Sequence, residues 1–266
     1  MATIQWLITG ILALMLTACA GLGTTADAET PQELAPTGKL RVGFLSTTSL
    51  HATKDAVSGE FKGVAVDLGK ALAERLRVAF EPVGYSSIPA LVAGAKAGEW
   101  DVAMMGINAE RAALMDFSAP YMEVEFSYLV PSGSSISSIT DVDWPGVRIG
   151  VLQKSSPDGY LSARIRNATL LRASTFAGMA DLLRSGKVDA LFATKAGMLG
   201  QSEKFAGSRV LEGKSGGEET AIAVPKGRPA GAAYVRTFVE NAKTEGLVKA
   251  AIERAQLRGV VVAPLK

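Results

Sequence analysis

The stretch GINAERAALMDFSAPYM, residues 106–122, decides the fold. Leading into it, Trp100–Ile107 is an apolar run of the length expected for a buried strand. Immediately afterwards Asn108 can cap a helix through its side chain, Glu110 suits the positive helix start, and Arg111 stands in the same first turn. A cation is poorly placed there unless something else holds it. Next, Tyr121–Val130 reads as a long extended segment, aromatic and β-branched. A buried strand that passes straight into a helix is the building unit of an α/β fold.

The alternation continues in both directions. Upstream, Leu40–Phe44 and Ala79–Val83 read as strands, Gly63–Leu76 as an amphipathic helix, and Ser86-Ser87-Ile88-Pro89 as a capped helix start running to Ala97. Downstream, a second series has strands at Val147–Val151, Leu170–Ala173 and Val188–Phe192 and a helix at Thr175–Arg184. Arg209–Leu211 and Thr220–Val224 are extended, and helices are expected at Pro229–Thr244 and Leu247–Arg258. Two series of related layout predict two α/β lobes with largely parallel sheets. Tyr121–Val130 and Thr220–Val224 are the segments that can cross between them.

The chain has 266 residues, 48% of them hydrophobic and 20% charged, with a net charge of +2 and no Lys/Arg cluster, so nucleic acid is not an expected partner. One His and one Cys argue against a transition-metal site, and no cofactor is expected. Residues 1–18 are uncharged and largely apolar, too short for a confident membrane span and suited to a signal peptide. Leu16-Thr17-Ala18-Cys19 resembles a bacterial lipobox, which implies lipidation of Cys19. The alternative is free secretion with cleavage after Ala26-Asp27-Ala28. Residues 19–37 read as a flexible tether, rich in Ala, Thr, Gly and Pro.

Several short motifs, weak singly, form a specific set in their order and spacing. They are Gly63-Val64-Ala65-Val66-Asp67-Leu68, Gly98-Glu99-Trp100-Asp101-Val102-Ala103, Glu110-Arg111 with Asp116-Phe117-Ser118-Ala119-Pro120-Tyr121, Gly146-Val147-Arg148-Ile149-Gly150-Val151, Gly186-Lys187-Val188-Asp189-Ala190 and Ala223-Val224-Pro225-Lys226-Gly227. Over about residues 38–255 the chain resembles the family 3 extracellular solute-binding proteins of ABC transporters, which include polar amino acid receptors. The resemblance implies a two-lobed periplasmic binding protein type II fold, with two mixed, mostly parallel sheets joined by two crossing strands. Lobe 1 would comprise residues 38–126 plus 223–266, and lobe 2 residues 127–222. It further implies a monomer in the periplasm or cell envelope that binds a small carboxylate-bearing ligand, an amino acid by default, by hinge closure. The implied partner is an ABC permease in the inner membrane, and the only membrane contact would be the lipid anchor.

The resemblance gives Arg111 the ligand carboxylate, which a planar guanidinium matches with two parallel N–H bonds. The alternative is a surface Arg paired with Asp116 or another nearby acid. Gly106, Asn108, Ser155, Ser156 and Thr194 are further candidate ligand-site residues, and Tyr85 is a candidate to pack on the ligand or, alternatively, in the core. Ser156 is a good helix cap before Pro157 and Asp158, so Ser155 and Ser156 serve either an anion or the helix alone. His51 is read as a loop residue, and Trp100, Phe117 and Phe192 as core. Amino acid receptors of this family commonly carry an Asp near Thr194 for the ligand ammonium, and Ala193-Thr194-Lys195 has none. Either Glu123, Glu125 or Glu219 replaces it, or the ligand is an organic acid without an amino group. A periplasmic cyclohexadienyl dehydratase-like enzyme is the remaining alternative. It needs an acid in the cleft, and the segments assigned to the pocket offer neither a clear acid nor a His, so an enzyme is not expected.

Overall fold

Two matching patterns, Leu40-Arg41-Val42-Gly43-Phe44 and Val147-Arg148-Ile149-Gly150-Val151, begin the two halves of the sheet. The computed structural model describes residues 30–48 and 50–266, and in it these patterns form strands β1 (Lys39–Leu45) and β9 (Arg148–Leu152). In each, the Arg amide and guanidinium donate to an Asp of a neighbouring chain segment. Arg41 Nη2 lies 2.7 Å from Asp101 Oδ1, and Arg148 Nη2 lies 2.7 Å from Asp189 Oδ1. Each Gly makes room for a partner: a Cβ on Gly43 would stand 2.9 Å from Trp100, and one on Gly150 2.8 Å from Leu191. The signal was a strand motif repeated across the two series.

β1 pairs in parallel with β5 (Ala79–Tyr85) and β6 (Val102–Gly106). β9 pairs in parallel with β10 (Thr169–Ala173) and β11 (Ala190–Thr194). The two sets are joined by the long antiparallel strands β8 (Met122–Val130) and β13 (Gly217–Pro225), giving the order β10-β9-β11-β8-β13-β6-β1-β5. This is the expected two-lobed α/β architecture with two crossing strands.

Helices cover both faces. In the first lobe α1 (Val64–Leu76), α7 (Pro229–Thr244) and α8 (Leu247–Arg254) bury Leu68, Leu72, Val235, Phe238 and Ile252 in one core. On the opposite face α2 (Ile88–Ala97) packs Leu91 on Trp100, whose indole N–H donates to the Leu91 carbonyl at 2.9 Å. Ser87 caps α2 through Ala90 N at 3.3 Å, with Pro89 in the first turn. Trp100 and Phe192 are fully buried core residues. The other helices are α3 (Ala109–Leu114), α4 (Ser156–Ser162), α5 (Phe176–Arg184) and α6 (Lys195–Ser202).

Several sequence expectations change. The expected helix at Leu247–Arg258 stops at Arg254, and β11 starts two residues later than Val188. The pattern did not mark α6, the three-stranded β2-β3-β4 sheet (Thr47–Thr48, Ala52–Lys54, Phe61–Lys62), or β14 (Val260–Val262), which pairs with β8. The tether reading of residues 19–37 is corrected at its end. Residues 30–34 are helical, and Leu34 is fully buried where Gly231 of α7 leaves space, a Cβ there lying 2.8 Å from it. The signal peptide, Cys19 and the start of the tether lie outside the described residues.

Candidate ligand-binding site

A cavity lies where the two lobes meet. Its polar groups gather around Gly106, the last residue of β6. Asn108 caps α3 by accepting from Arg111 N at 2.8 Å, which fixes the first turn. From that turn the Arg111 side chain folds inward and is only 4% exposed. It donates to the Gly106 carbonyl at 2.6 Å and, across the cleft, to the Lys154 carbonyl at 2.9 Å. Among the described residues no carboxylate makes an ion-pair contact with it; Asp116 is held instead by Lys226 at 2.9 Å. Burial lowers the Arg111 pKa, with the charges of Glu218 and Glu110 opposing the shift. Guanidinium stays charged at neutral pH regardless.

Lys154 presents its carbonyl from the left-handed region, with φ 57°. Its amide donates to Asp158 Oδ2 at 2.9 Å, which holds this costly conformation in place. The helix cap here is Ser155, which accepts from Asp158 N at 3.2 Å, and not Ser156 as the sequence predicts. Ser156 is therefore the first helical residue. Its buried hydroxyl faces the cavity with no hydrogen-bond partner, although it lies close enough to the Glu218 carboxylate to favour its ionised form. Thr194 also lines the cavity, and its hydroxyl caps α6 by accepting from Gly197 N at 3.2 Å.

The acid of the site is Glu218 of β13. Successive strand residues face opposite sides, so Glu219, one position on, points away and approaches Lys266 at 3.7 Å. Glu125 is paired with Lys195 at 3.2 Å. Glu123, Glu125 and Glu219, the substitutes offered for the missing Asp, do not line the cavity, whereas Glu218 does, because the pleat and not proximity in sequence selects the side chain that enters it. Burial raises the Glu218 pKa, and Ser156 and Arg111 lower it in part.

His51 lies in a turn, as the sequence predicts, and its side chain also lines the cavity. Gly63 brings it there. Gly63 has φ 143°, and a Cβ on it would lie 2.5 Å from the His51 carbonyl, which in turn accepts from Ala65 N at 3.0 Å at the start of α1. The His51 ring is buried, and neither nitrogen has a protein hydrogen-bond partner. Burial, with the Arg111 charge second, lowers its pKa to about 4, so the ring is neutral. His51 and Glu218 together overturn the expectation that the cleft lacks both an acid and a His.

Tyr85 does not line this cavity. β5 is the edge strand, and the ring folds back over Gly94 of α2, where its hydroxyl donates to Glu99 Oε2 at 2.7 Å. The remaining walls are apolar and come from both lobes: Leu45, Ile88, Leu91, Met105, Leu152 and Phe176. Among the described residues no group of three or more His, Cys, Asp or Glu side chains is arranged to hold a metal ion, and no helix is long and apolar enough to cross a membrane.

The family model for bacterial extracellular solute-binding proteins, family 3, matches residues 40–255. The chain is 27% identical over 247 residues to the ABC transporter glutamine-binding protein GlnH of Bacillus subtilis (strain 168), covering 88% of this chain and 89% of the relative. Among solved structures, an ancestral arginine-binding protein bound to glutamine superposes with a TM-score of 0.71 at 29% identity, covering 82% of this chain and 97% of that one. The ancestral amino acid-binding protein AncCDT-1, a precursor of cyclohexadienyl dehydratase, gives a TM-score of 0.73 at 25% identity, covering 85% and 98%.

Proposed function

The chain belongs to the bacterial extracellular solute-binding proteins of family 3, and from that premise we propose that it is the binding component of an ABC importer for an α-amino acid. The observation that carries this reading is the pair of opposite charges, Arg111 and Glu218, on one cavity between the lobes. The ligand carboxylate lies on the free part of the Arg111 fork, helped by neutral His51, and the ammonium lies on Glu218 beside Ser156. A buried ammonium needs such an anionic partner, and Glu218 supplies the acid that the segment around Thr194 lacks. Gly106 leaves room for the Glu218 carboxylate and the Ser156 hydroxyl beside Arg111, while Asn108, Ser155 and Thr194 hold the elements that carry the contacts. Names of relatives support the ligand class: GlnH is a glutamine-binding protein, and another similar structure is of an arginine-binding protein.

In this reading lobe 1 is residues 38–126 plus 223–266 and lobe 2 is residues 127–222, closing over the ligand about β8 and β13. The protein is an exported monomer, anchored through a lipid on Cys19, that delivers its ligand to an inner-membrane permease. The cyclohexadienyl dehydratase reading gains a foothold from His51 and Glu218 and from the likeness to AncCDT-1. It is the second choice because Arg111 and Glu218 together complete a zwitterion site.

The test is native mass spectrometry of the purified protein, followed by denaturation, identification of the released molecule and calorimetry with it. A released α-amino acid is the expected result. A carboxylate without an amino group would remove the role given to Glu218, and turnover of prephenate or arogenate would replace binding by catalysis. Incorporation of a labelled fatty acid into the wild type but not Cys19→Ser tests the anchor.

A further inference from the structure

Resting on the zwitterion site just proposed, we infer that the ligand is an α-amino acid with an uncharged, apolar side chain, unlike the glutamine or arginine named for the relatives. The cavity has two chemically distinct ends. The polar end is a single knot around Gly106: Arg111 donates to its carbonyl, and a Cβ on it would lie 2.0 Å from Glu218 Oε2 and 2.7 Å from Ser156 Oγ. His51, with both ring nitrogens unpartnered among the described residues, lines the same cavity. One carboxylate and one ammonium match the two charges of this end, Arg111 and Glu218.

Among the described residues that line the cavity, no charged group is left for a side chain at the other end. There Leu45, Ile88, Leu152, Phe176 and Ala193 belong to one apolar cluster spanning the two lobes, with Leu91 and Met105 beside it. The two hydroxyls that reach this cavity apart from Ser156, on Ser155 and Thr194, each accept a helix amide and keep one O–H to donate. Lys195, next to Thr194 in sequence, is drawn off to Glu125. A side-chain ammonium or guanidinium entering here would lose its water and meet no counter-charge, and a side-chain amide would find only those two hydroxyls, whereas an aliphatic or thioether chain gains burial. A site with too few hydrogen-bonding groups rejects polar ligands by leaving them unpaired.

The test is isothermal titration of the unmodified protein, freed of co-purified ligand by unfolding and refolding, with leucine, isoleucine, valine, methionine, glutamine, arginine, lysine and histidine. Binding of at least one of the first four at least ~10-fold tighter than all of the last four is expected from the unpaired-group penalty. If a polar or charged amino acid binds as tightly or more tightly, the apolar assignment fails while the zwitterion site stands. If none of the eight binds to protein whose circular dichroism shows the native fold, both fail.

Discussion

The Glu218 carboxylate fills the space that a side chain on Gly106 would take, 2.0 Å from the position of its Cβ. The last residue of one strand and the acid of a crossing strand therefore share one small volume. Gly106→Ala should push Glu218 aside and lower ligand affinity by at least ~10-fold, the cost of a misplaced charged contact. The melting temperature should move little, because the clash is with the end of a flexible side chain. Unchanged affinity in calorimetry would show that Glu218 is not a ligand contact.

Arg111 should be the strongest single determinant. Removing one partner of a buried charge pair costs ~2–5 kcal/mol, so Arg111→Ala should weaken binding by roughly 30-fold to several thousand-fold. Arg111→Lys should also fail, since a point ammonium cannot hold the Gly106 and Lys154 carbonyls and a carboxylate together. Retention of wild-type affinity by either variant would exclude the assigned role.

Glu218 gives a pH dependence with a definite sign. Its native pKa is raised above the ordinary 4.5, so between these values the native state holds a proton that the unfolded chain has lost. Ligand-free stability should fall as pH rises through that window. Affinity for an ammonium ligand should rise over the same range as the carboxylate forms. Glu218→Gln should abolish both slopes. Denaturant melts and titrations at a series of pH values measure them, and a wild-type slope in the variant would contradict the assignment.

His51 acts in the opposite sense. Its native pKa is lowered from 6.5 to about 4, so across that interval the unfolded chain binds the extra proton. Stability should be lost as pH falls from 6.5 and should level off below about 4. His51→Leu should flatten this acid limb. Chemical melts between those limits decide it, and an unaltered slope would mean that the ring is not held neutral in the native protein.

Lys195 should be dispensable for the ligand. Its ammonium is paired with Glu125 at 3.2 Å, away from the cavity, and its side chain packs where Gly259 leaves space. Lys195→Met should leave affinity within ~2-fold and change stability by about 0–1 kcal/mol, the range for a partly exposed pair. A large loss of affinity would return Lys195 to the site.

The sequence by itself determined what neighbouring residues decide. Ser87, Asn108 and Thr175 cap helices because each side chain reaches an amide three residues on, a purely local geometry. The buried strands and the two-series α/β order followed from hydrophobic runs and turn residues, and the motif set identified the family. The tertiary structure decided which polar groups share the cavity. Glu218 and Glu219 are equivalent in composition, and only the register of β13 against β8 and β6 turns Glu218 inward. Tyr85 lies outside the cavity because Gly94 leaves room for its hydroxyl, which donates to Glu99. His51 entered it because Gly63 lets its carbonyl meet the start of α1. Helix caps and strand propensities act over a few residues, whereas a site between lobes is set by long-range pairing and close packing, which no short segment encodes alone.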